Sequence, residues 1–287
     1  MIIWLASYPR SGNTLLRTVL KKCLNLDSYA DEPIHRESVL RDDNDLIGHR
    51  ELPNDWPAFY QMASQSPQLY LVKTHLPPCD DQPYLYVVRD GRSAIQSYVK
   101  YYEEFLPGEK TSVLKLIMGD DAYGDWSSHY RAWVNREGVQ GTVIRFEDLV
   151  DAEQPLLEGL AKFLRFDGAI RPWKNPFNDL SNVEPGFFRR GDKAFVPMAE
   201  WNEVSNTLFT YLHGDLMNRL GFDFQDVARH LHDISLLDAL VPYAKNLLQR
   251  VTDLQNVCDE RLVVIRELKE EADKRLEIIR RFPFVRR

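Results

Sequence analysis

Three cysteines in 287 residues, Cys23, Cys79 and Cys258, are too few and too scattered for a disulfide framework or a metal cluster. They read as free thiols in a reducing compartment, which makes the cytoplasm the expected location. Basic charge is also short. Lys and Arg number 36 against 43 Asp and Glu, a formal net charge of −7. That excludes a nucleic-acid binder working through bulk charge, which needs a basic face. It does not exclude a local basic pocket for one small anion. Long hydrophobic runs are missing too. The apolar start, residues 2–6, has no basic residue before it and is broken by Pro9 and Arg10. Neither a signal peptide nor a membrane span is expected.

What remains is ordinary for a globular chain: 44% apolar and 28% charged residues. A chain of this length can bury about 75% of its unfolded surface. Ile2-Ile3-Trp4-Leu5-Ala6 reads as a buried strand. From Thr14, Leu15, Leu16, Val19, Leu20, Cys23 and Leu24 recur at helical spacing. Three further apolar runs, "LYLV", "YLYVV" and "GTVIRF", precede Lys73-Thr74-His75, Arg89-Asp90 and Glu147-Asp148. Helical patterns follow near 92–104 and 154–166. Strands alternating with helices predict an α/β fold with a mostly parallel sheet covered on both faces. Residues 28–68 and 105–124 read as long, polar connections with short helices.

The tail differs. From Ala244 a 3-4 spacing runs through Leu247, Val251, Leu254, Cys258, Arg261, Ile265, Leu268, Ala272, Arg275 and Ile279, with Pro242 placed to start a helix. The spacing predicts a C-terminal helical, coiled-coil-like extension over 226–287 behind a first domain over 1–225, and a homo-oligomer built through that helix. A terminal helix folded back on its own domain fits the same spacing.

Between the first strand and helix lies Ser7-Tyr8-Pro9-Arg10-Ser11-Gly12-Asn13-Thr14. A helix start leaves backbone N–H groups unpaired, and with the helix dipole they attract an anion where the preceding loop is tight. Gly12 lets the backbone come close to a ligand. Ser11, Asn13 and Thr14 add donors, and Arg10 adds a fixed charge. The turn reads as a phosphate or sulfate cradle, or as a strand-to-helix turn capped by Ser and Asn. It lacks the G-x-x-x-x-G-K-[ST] pattern of nucleoside-triphosphate loops. In "VKTHLP", Lys73 and His75 share one side of an extended segment, so a proton acceptor sits beside a positive charge. In "VVRDGRSAIQSYVKYY", Arg89 ends a strand and Ser97 lies in the following helix, with Asp90 placed to cap that helix or to pair with Arg89.

These stretches together resemble the PAPS-dependent sulfotransferases. "SYPRSGNT" is similar to their 5′-phosphosulfate loop, usually written YPKSGTTW. "KTHLP" matches their catalytic-histidine segment at every position. "RDGRSAIQS" is similar to their 3′-phosphate segment, "RFEDL" to their Y-E-D-L segment, and "FFRRGD" (187–192) to their late R-K-G loop. The segments occur in the family's order and span roughly residues 2–220. The resemblance implies a P-loop NTPase-like three-layer fold that binds 3′-phosphoadenylyl sulfate (PAPS) and releases PAP, with no metal. It implies that His75 is the general base, that Lys73 steadies the sulfuryl group, and that Arg10 contacts the bridging oxygen. Ser11, Gly12, Asn13 and Thr14 would hold the 5′-phosphate and sulfuryl oxygens, and Arg89, Ser97, Arg189, Arg190 and Gly191 the 3′-phosphate. Phe146 stands in place of the family's Tyr and would pack on the base. Leu15 occupies the position of an adenine-stacking Trp, and Arg10 replaces a Lys.

The expected reaction is in-line sulfuryl transfer from PAPS to a hydroxyl of a small-molecule, glycan or natural-product acceptor, driven mostly by positioning and charge stabilisation. A non-catalytic nucleotide-binding or oligomerisation scaffold and a P-loop-type kinase are the alternatives. The acceptor is expected to meet the loops at 28–68, 105–124 and 176–200, whose aromatic residues, with their flanks, include Trp56, Phe59, Tyr60, Trp126, Phe187 and Phe188.

Overall fold

The computed structural model describes residues 1–31, 44–53, 55–106, 108, 111–176 and 194–223, and in the tail 240, 257–258, 261–262, 264–265, 268–269 and 271–276. The chain divides into two compact units, Met1–His230 and Leu231–Arg287.

The first unit is built on one five-stranded sheet in the order β2-β3-β1-β4-β5. The strands are β1 (Ile2–Ser7), β2 (Ser28–Ala30), β3 (Tyr70–Thr74), β4 (Tyr84–Val88) and β5 (Gly141–Arg145), and every pairing is parallel. All six residues of β1 are buried. That burial suits the central strand of a sheet covered on both faces, where a continuous apolar run replaces alternation.

Side chains alternate across β1 and divide the core in two. Ile3 and Leu5, with Leu85 and Val87 of β4, face a layer containing α1 (Asn13–Leu24), α7 (Phe146–Asp151) and α8 (Gln154–Phe163). Leu15, Leu16, Val19, Leu20, Cys23 and Leu24 supply the α1 side of that core. Each fully buried leucine or valine there is worth about 1.5–3 kcal/mol relative to exposure. Trp4, Tyr84 and Tyr86 face the other way, toward Tyr130 and Trp133 of α6 (Trp126–Val134). The result is the three-layer, mostly parallel α/β architecture that the sequence predicts.

The helix expected near 92–104 is α4 (Gly91–Phe105). The one expected over 154–166 stops at Phe163, because Arg165 turns into the left-handed region at φ 55°. Residues 28–68 carry more regular structure than a long connection: β2, α2 (Asn44–Ile47) and the ten-residue α3 (Trp56–Gln65). Asp55 caps α3 by accepting from Ala58 N at 3.0 Å, a start signal with Pro57 just inside it. Residues 105–124 include α5 (Val113–Ile117), and α9 (Glu203–Arg219) packs on α4, α5 and α6.

In the second unit, the described residues between Val257 and Leu276 are helical and exposed, Leu262, Ile265 and Leu268 among them. Ala244, Leu247, Val251, Leu254 and Ile279 of the expected seam lie outside the described residues. Among the described residues, no helix is long and apolar enough to cross a membrane.

Candidate active site

From β1 the chain runs to the edge strand β2 on one side, returns through β3, and then crosses to β4 on the other side of β1, so the strand order switches direction beside β1. Open α/β sheets bind ligands outside the carboxyl ends of the strands at such a point. The register puts Ala6 opposite Thr74 and Ser7 opposite Val87. Residues 8–14, His75 and Arg89 therefore leave the sheet at the same edge, although up to 79 positions separate their contacts in sequence.

The loop after β1 takes two left-handed residues, Arg10 at φ 62° and Gly12 at φ 108°. Ser11 N donates to Tyr8 O at 3.2 Å. Gly12 is the N-cap of α1, and no side chain caps that helix. The capped-turn alternative is therefore not what forms. Ser11 Oγ and Asn13 Oδ1 are both buried without a hydrogen bond, while Asn13 Nδ2 donates to Leu5 O at 2.7 Å. Uncapped amides with the orphaned Ser11 hydroxyl beside them suit an anion that accepts from both.

Arg10 and Arg89 extend this cradle. Arg10 Nε donates to Ser97 Oγ at 3.3 Å, and its guanidinium lies 5.2 Å from the Tyr101 ring centre. Arg89 Nη1 donates to Arg10 O at 3.4 Å, and its guanidinium carbon stands 4.3 Å over the Phe146 ring. Asp90 caps α4, and its carboxylate is bound by Arg92 at 2.6 Å. Phe146 is 6% exposed and belongs to the main core cluster, between Gly12 and Arg89. In this geometry the Arg10 head group rests at the α4 end of the site, beside Ser97.

His75 is half-buried just beyond β3. Its Nδ1–H donates to Ser7 O at 2.8 Å, with Ser7 Oγ at 3.3 Å. A carbonyl can only accept, so neutral His75 carries its proton on Nδ1 and keeps the Nε2 lone pair. Burial first, then the charges of Lys73 and Arg10, push its pKa well below the ordinary imidazole value, against the opposing effect of the Ser7 bond. Lys73 is the fourth residue of β3 and paired in register with Leu5.

Arg189, Arg190, Gly191, Phe187 and Phe188 lie outside the described residues. Phe59 and Trp126 are fully buried. Phe59 stacks on Tyr29, Tyr70 and Trp56, and Trp126 on Phe209, so both are scaffold. Beside His75 stand aromatic residues that the sequence reading did not single out. Tyr123 meets the imidazole edge-on at 5.9 Å, and Tyr98 joins Tyr123 to Tyr102. Among the described residues, no group of three or more His, Cys, Asp or Glu is arranged to hold a metal ion.

The family profile described as Sulfotransferase domain matches residues 2–172, more than half of the chain. This chain belongs to the sulfotransferase domain family. Mouse sulfotransferase SULT7A1, solved in complex with PAP, has the same fold: TM-score 0.51 at 19% identity, over 76% of this chain and 87% of that one. Retinol dehydratase, solved with androsterone and the inactive cofactor PAP, aligns at 17% identity and TM-score 0.47 over 78% of this chain and 82% of its own. The sulfotransferase profile covers β1 through α8 and includes the loop after β1, Lys73, His75, Arg89, Ser97 and Phe146.

Proposed function

We propose that this sulfotransferase moves a sulfuryl group from PAPS to a hydroxyl of a small-molecule or glycan acceptor, with His75 as the general base. One observation carries the reading. Ser7, the last residue of the strand that runs into the anion loop, also binds His75 Nδ1 at 2.8 Å. The base and the cradle thus share one backbone anchor.

PAPS would supply an activated sulfur bearing a good leaving phosphate. The first-turn amides of α1 with Ser11, Asn13 and Thr14 would hold the 5′-phosphate, and the orphaned Ser11 Oγ, a hydroxyl that can donate, fits that group. Arg89 and Ser97, with Arg189, Arg190 and Gly191, would hold the 3′-phosphate. Arg10 reaches Ser97 through Nε, and its fixed charge would contact the bridging oxygen and stabilise the leaving phosphate. Lys73 lowers the pKa of His75 and would steady the sulfuryl oxygens. A His75 that stays neutral at physiological pH has Nε2 free to take the acceptor proton, a step worth about 10²–10⁴-fold. Positioning and charge stabilisation supply the rest. The complex of mouse sulfotransferase SULT7A1 with PAP agrees with this donor. Residues 226–287 would form a helical extension outside the catalytic domain.

The reading is tested by titrating the full chain with PAP in a calorimeter, followed by a mass-spectrometric screen for SO3 gain across hydroxyl acceptors. Saturable uptake of one PAP per chain is expected. No uptake would overturn the donor assignment.

A further inference from the structure

Two carbonyls just past the end of β3 are held by side chains from a helix more than fifty positions away. His129 Nε2–H donates to His75 O at 2.8 Å. Trp133 Nε1–H donates to Leu76 O at 3.0 Å. His129 and Trp133 are one turn apart on α6 and present one face. Arg136, just after the helix, continues the row and donates to Asp80 O. A strand that has ended no longer offers ladder partners for its carbonyls, so these donors complete the backbone accounting of the segment that carries His75.

The direction of the His129 bond is fixed from behind. Tyr86 of β4 lies 2.8 Å from His129 Nδ1 through its hydroxyl. His129 Nε2 must carry a hydrogen to meet a carbonyl, so in the neutral ring Nδ1 is the acceptor and Tyr86 O–H donates to it. His129 is 2% exposed and Tyr86 1%. A buried chain of this kind has one satisfied arrangement, and breaking it leaves buried polar atoms unpaired.

We propose that His129 and Trp133 are positioning residues for the base. The chain Tyr86–His129–His75 carbonyl fixes the peptide plane of residue 75, and that plane aims the imidazole so that Nδ1 reaches Ser7 O and Nε2 stays available. His129 does not touch the reacting atoms. Its effect passes through the orientation and tautomer of His75. The inference rests on reading His75 as the base.

The test uses the full chain labelled with ¹⁵N-histidine and reads the His75 ring-nitrogen shifts, which report tautomer without an acceptor. In the wild-type chain the Nδ1–H form should dominate. His129→Leu should lower the Nδ1–H fraction roughly twofold or more, toward the mixture of a free imidazole. His129→Gln, whose amide can donate to the same carbonyl, should restore the wild-type shifts. Trp133→Phe removes the Nε1–H donor with the five-membered ring but keeps a six-membered aromatic ring, and should move the same resonances in the same direction. Unchanged His75 shifts in folded His129→Leu or in Trp133→Phe would overturn the proposal, as would an equal change in the Leu and Gln variants. PAP titration of the same samples separates the two readings, because a wild-type chain that takes up no PAP defeats the donor assignment and leaves the tautomer result standing.

Discussion

Gly12 and Phe146 approach so closely that a β-carbon on Gly12 would stand 2.6 Å from Phe146 Cδ2. The contact joins the anion loop after β1 to the first residue of α7, and Arg89 covers the same ring at 4.3 Å. Loop, ring and guanidinium form one stack. Gly12 is also at φ 108°, where a side chain is strained whatever the space.

Gly12→Ala should therefore fail twice, through the collision with Phe146 and through the backbone. An expected destabilisation of about 1–3 kcal/mol follows from strain and overpacking together. PAP affinity should fall by about tenfold or more, since the first-turn amides would no longer point at the phosphate. Adding Phe146→Leu should recover part of the melting temperature but little affinity, because the φ strain remains. Thermal melting and calorimetry on both variants check this. Full PAP affinity in Gly12→Ala would remove the loop from the nucleotide site.

His75→Ala should separate chemistry from binding. The imidazole contacts Ser7 through Nδ1 and would meet the acceptor, not the nucleotide, through Nε2. Turnover is expected to drop by about 10²–10⁴-fold, while PAP affinity stays within a few-fold of wild type. Because the folded pKa of His75 is depressed, the acid limb of the wild-type rate profile should fall below the ordinary imidazole pKa of about 6.5. Near wild-type turnover in the alanine variant would show that another group takes the proton.

How much of this was legible beforehand depends on the range of each interaction. The repeat Leu15, Leu16, Val19, Leu20, Cys23, Leu24 marks α1 because a helix face is a local pattern. The loop after β1, His75 and Arg89 could be picked out because each follows an apolar strand. Their meeting at one sheet edge then follows from parallel topology. Trp126 and Phe59 misled, since an aromatic residue in a connection reads the same whether it lines a site or fills a core. His129 carried no local signal at all. Its partners are Tyr86 and the carbonyl of His75, 43 and 54 positions away, and a carbonyl is common to every residue. Gln96 is similar, holding Val196 O and Met198 N across about a hundred positions.

The tail offers a separable prediction. Its described residues expose Leu262, Ile265, Leu268 and Leu276 on helical backbone. Helices with such stripes self-associate when the seam repeats every three and four residues. Ending the chain at Ser235 should reduce the mass measured by light scattering to that of a monomer and leave PAP affinity unchanged. An unchanged number of chains per particle after truncation would assign the tail no part in assembly.

Acid should destabilise the fold through three imidazoles that it keeps neutral. His49 accepts from Arg17 through Nδ1 at 2.9 Å, and burial, followed by the charges of Arg17 and Lys73, pushes it down to about 4. His213 donates from Nε2 to Ile117 O at 2.9 Å and is pushed down chiefly by burial. His75 is the third. Each has a folded pKa below its unfolded value of about 6.5, so the unfolded chain binds more protons in that window. Their stabilisation is complete above about pH 6.5 and is lost as pH falls toward the folded values. The slope should approach about 1.4 kcal/mol per pH unit for each imidazole in its window, and less for the partly exposed His49. Glu147 acts in the opposite sense. Burial raises its pKa, so the folded state holds that proton more tightly just above the ordinary carboxylate range. Asp27, lowered by Lys21 and Arg50 against its burial, loses its contribution only at more acid pH. Urea unfolding between pH 7.5 and pH 5 should therefore show stability falling by less than the three imidazoles alone would give. His49→Gln, whose amide oxygen can still accept from Arg17, should flatten the slope by up to about one proton while the carboxylate region stays as it was. A slope that does not change in that variant would mean that His49 is not held neutral in the folded chain.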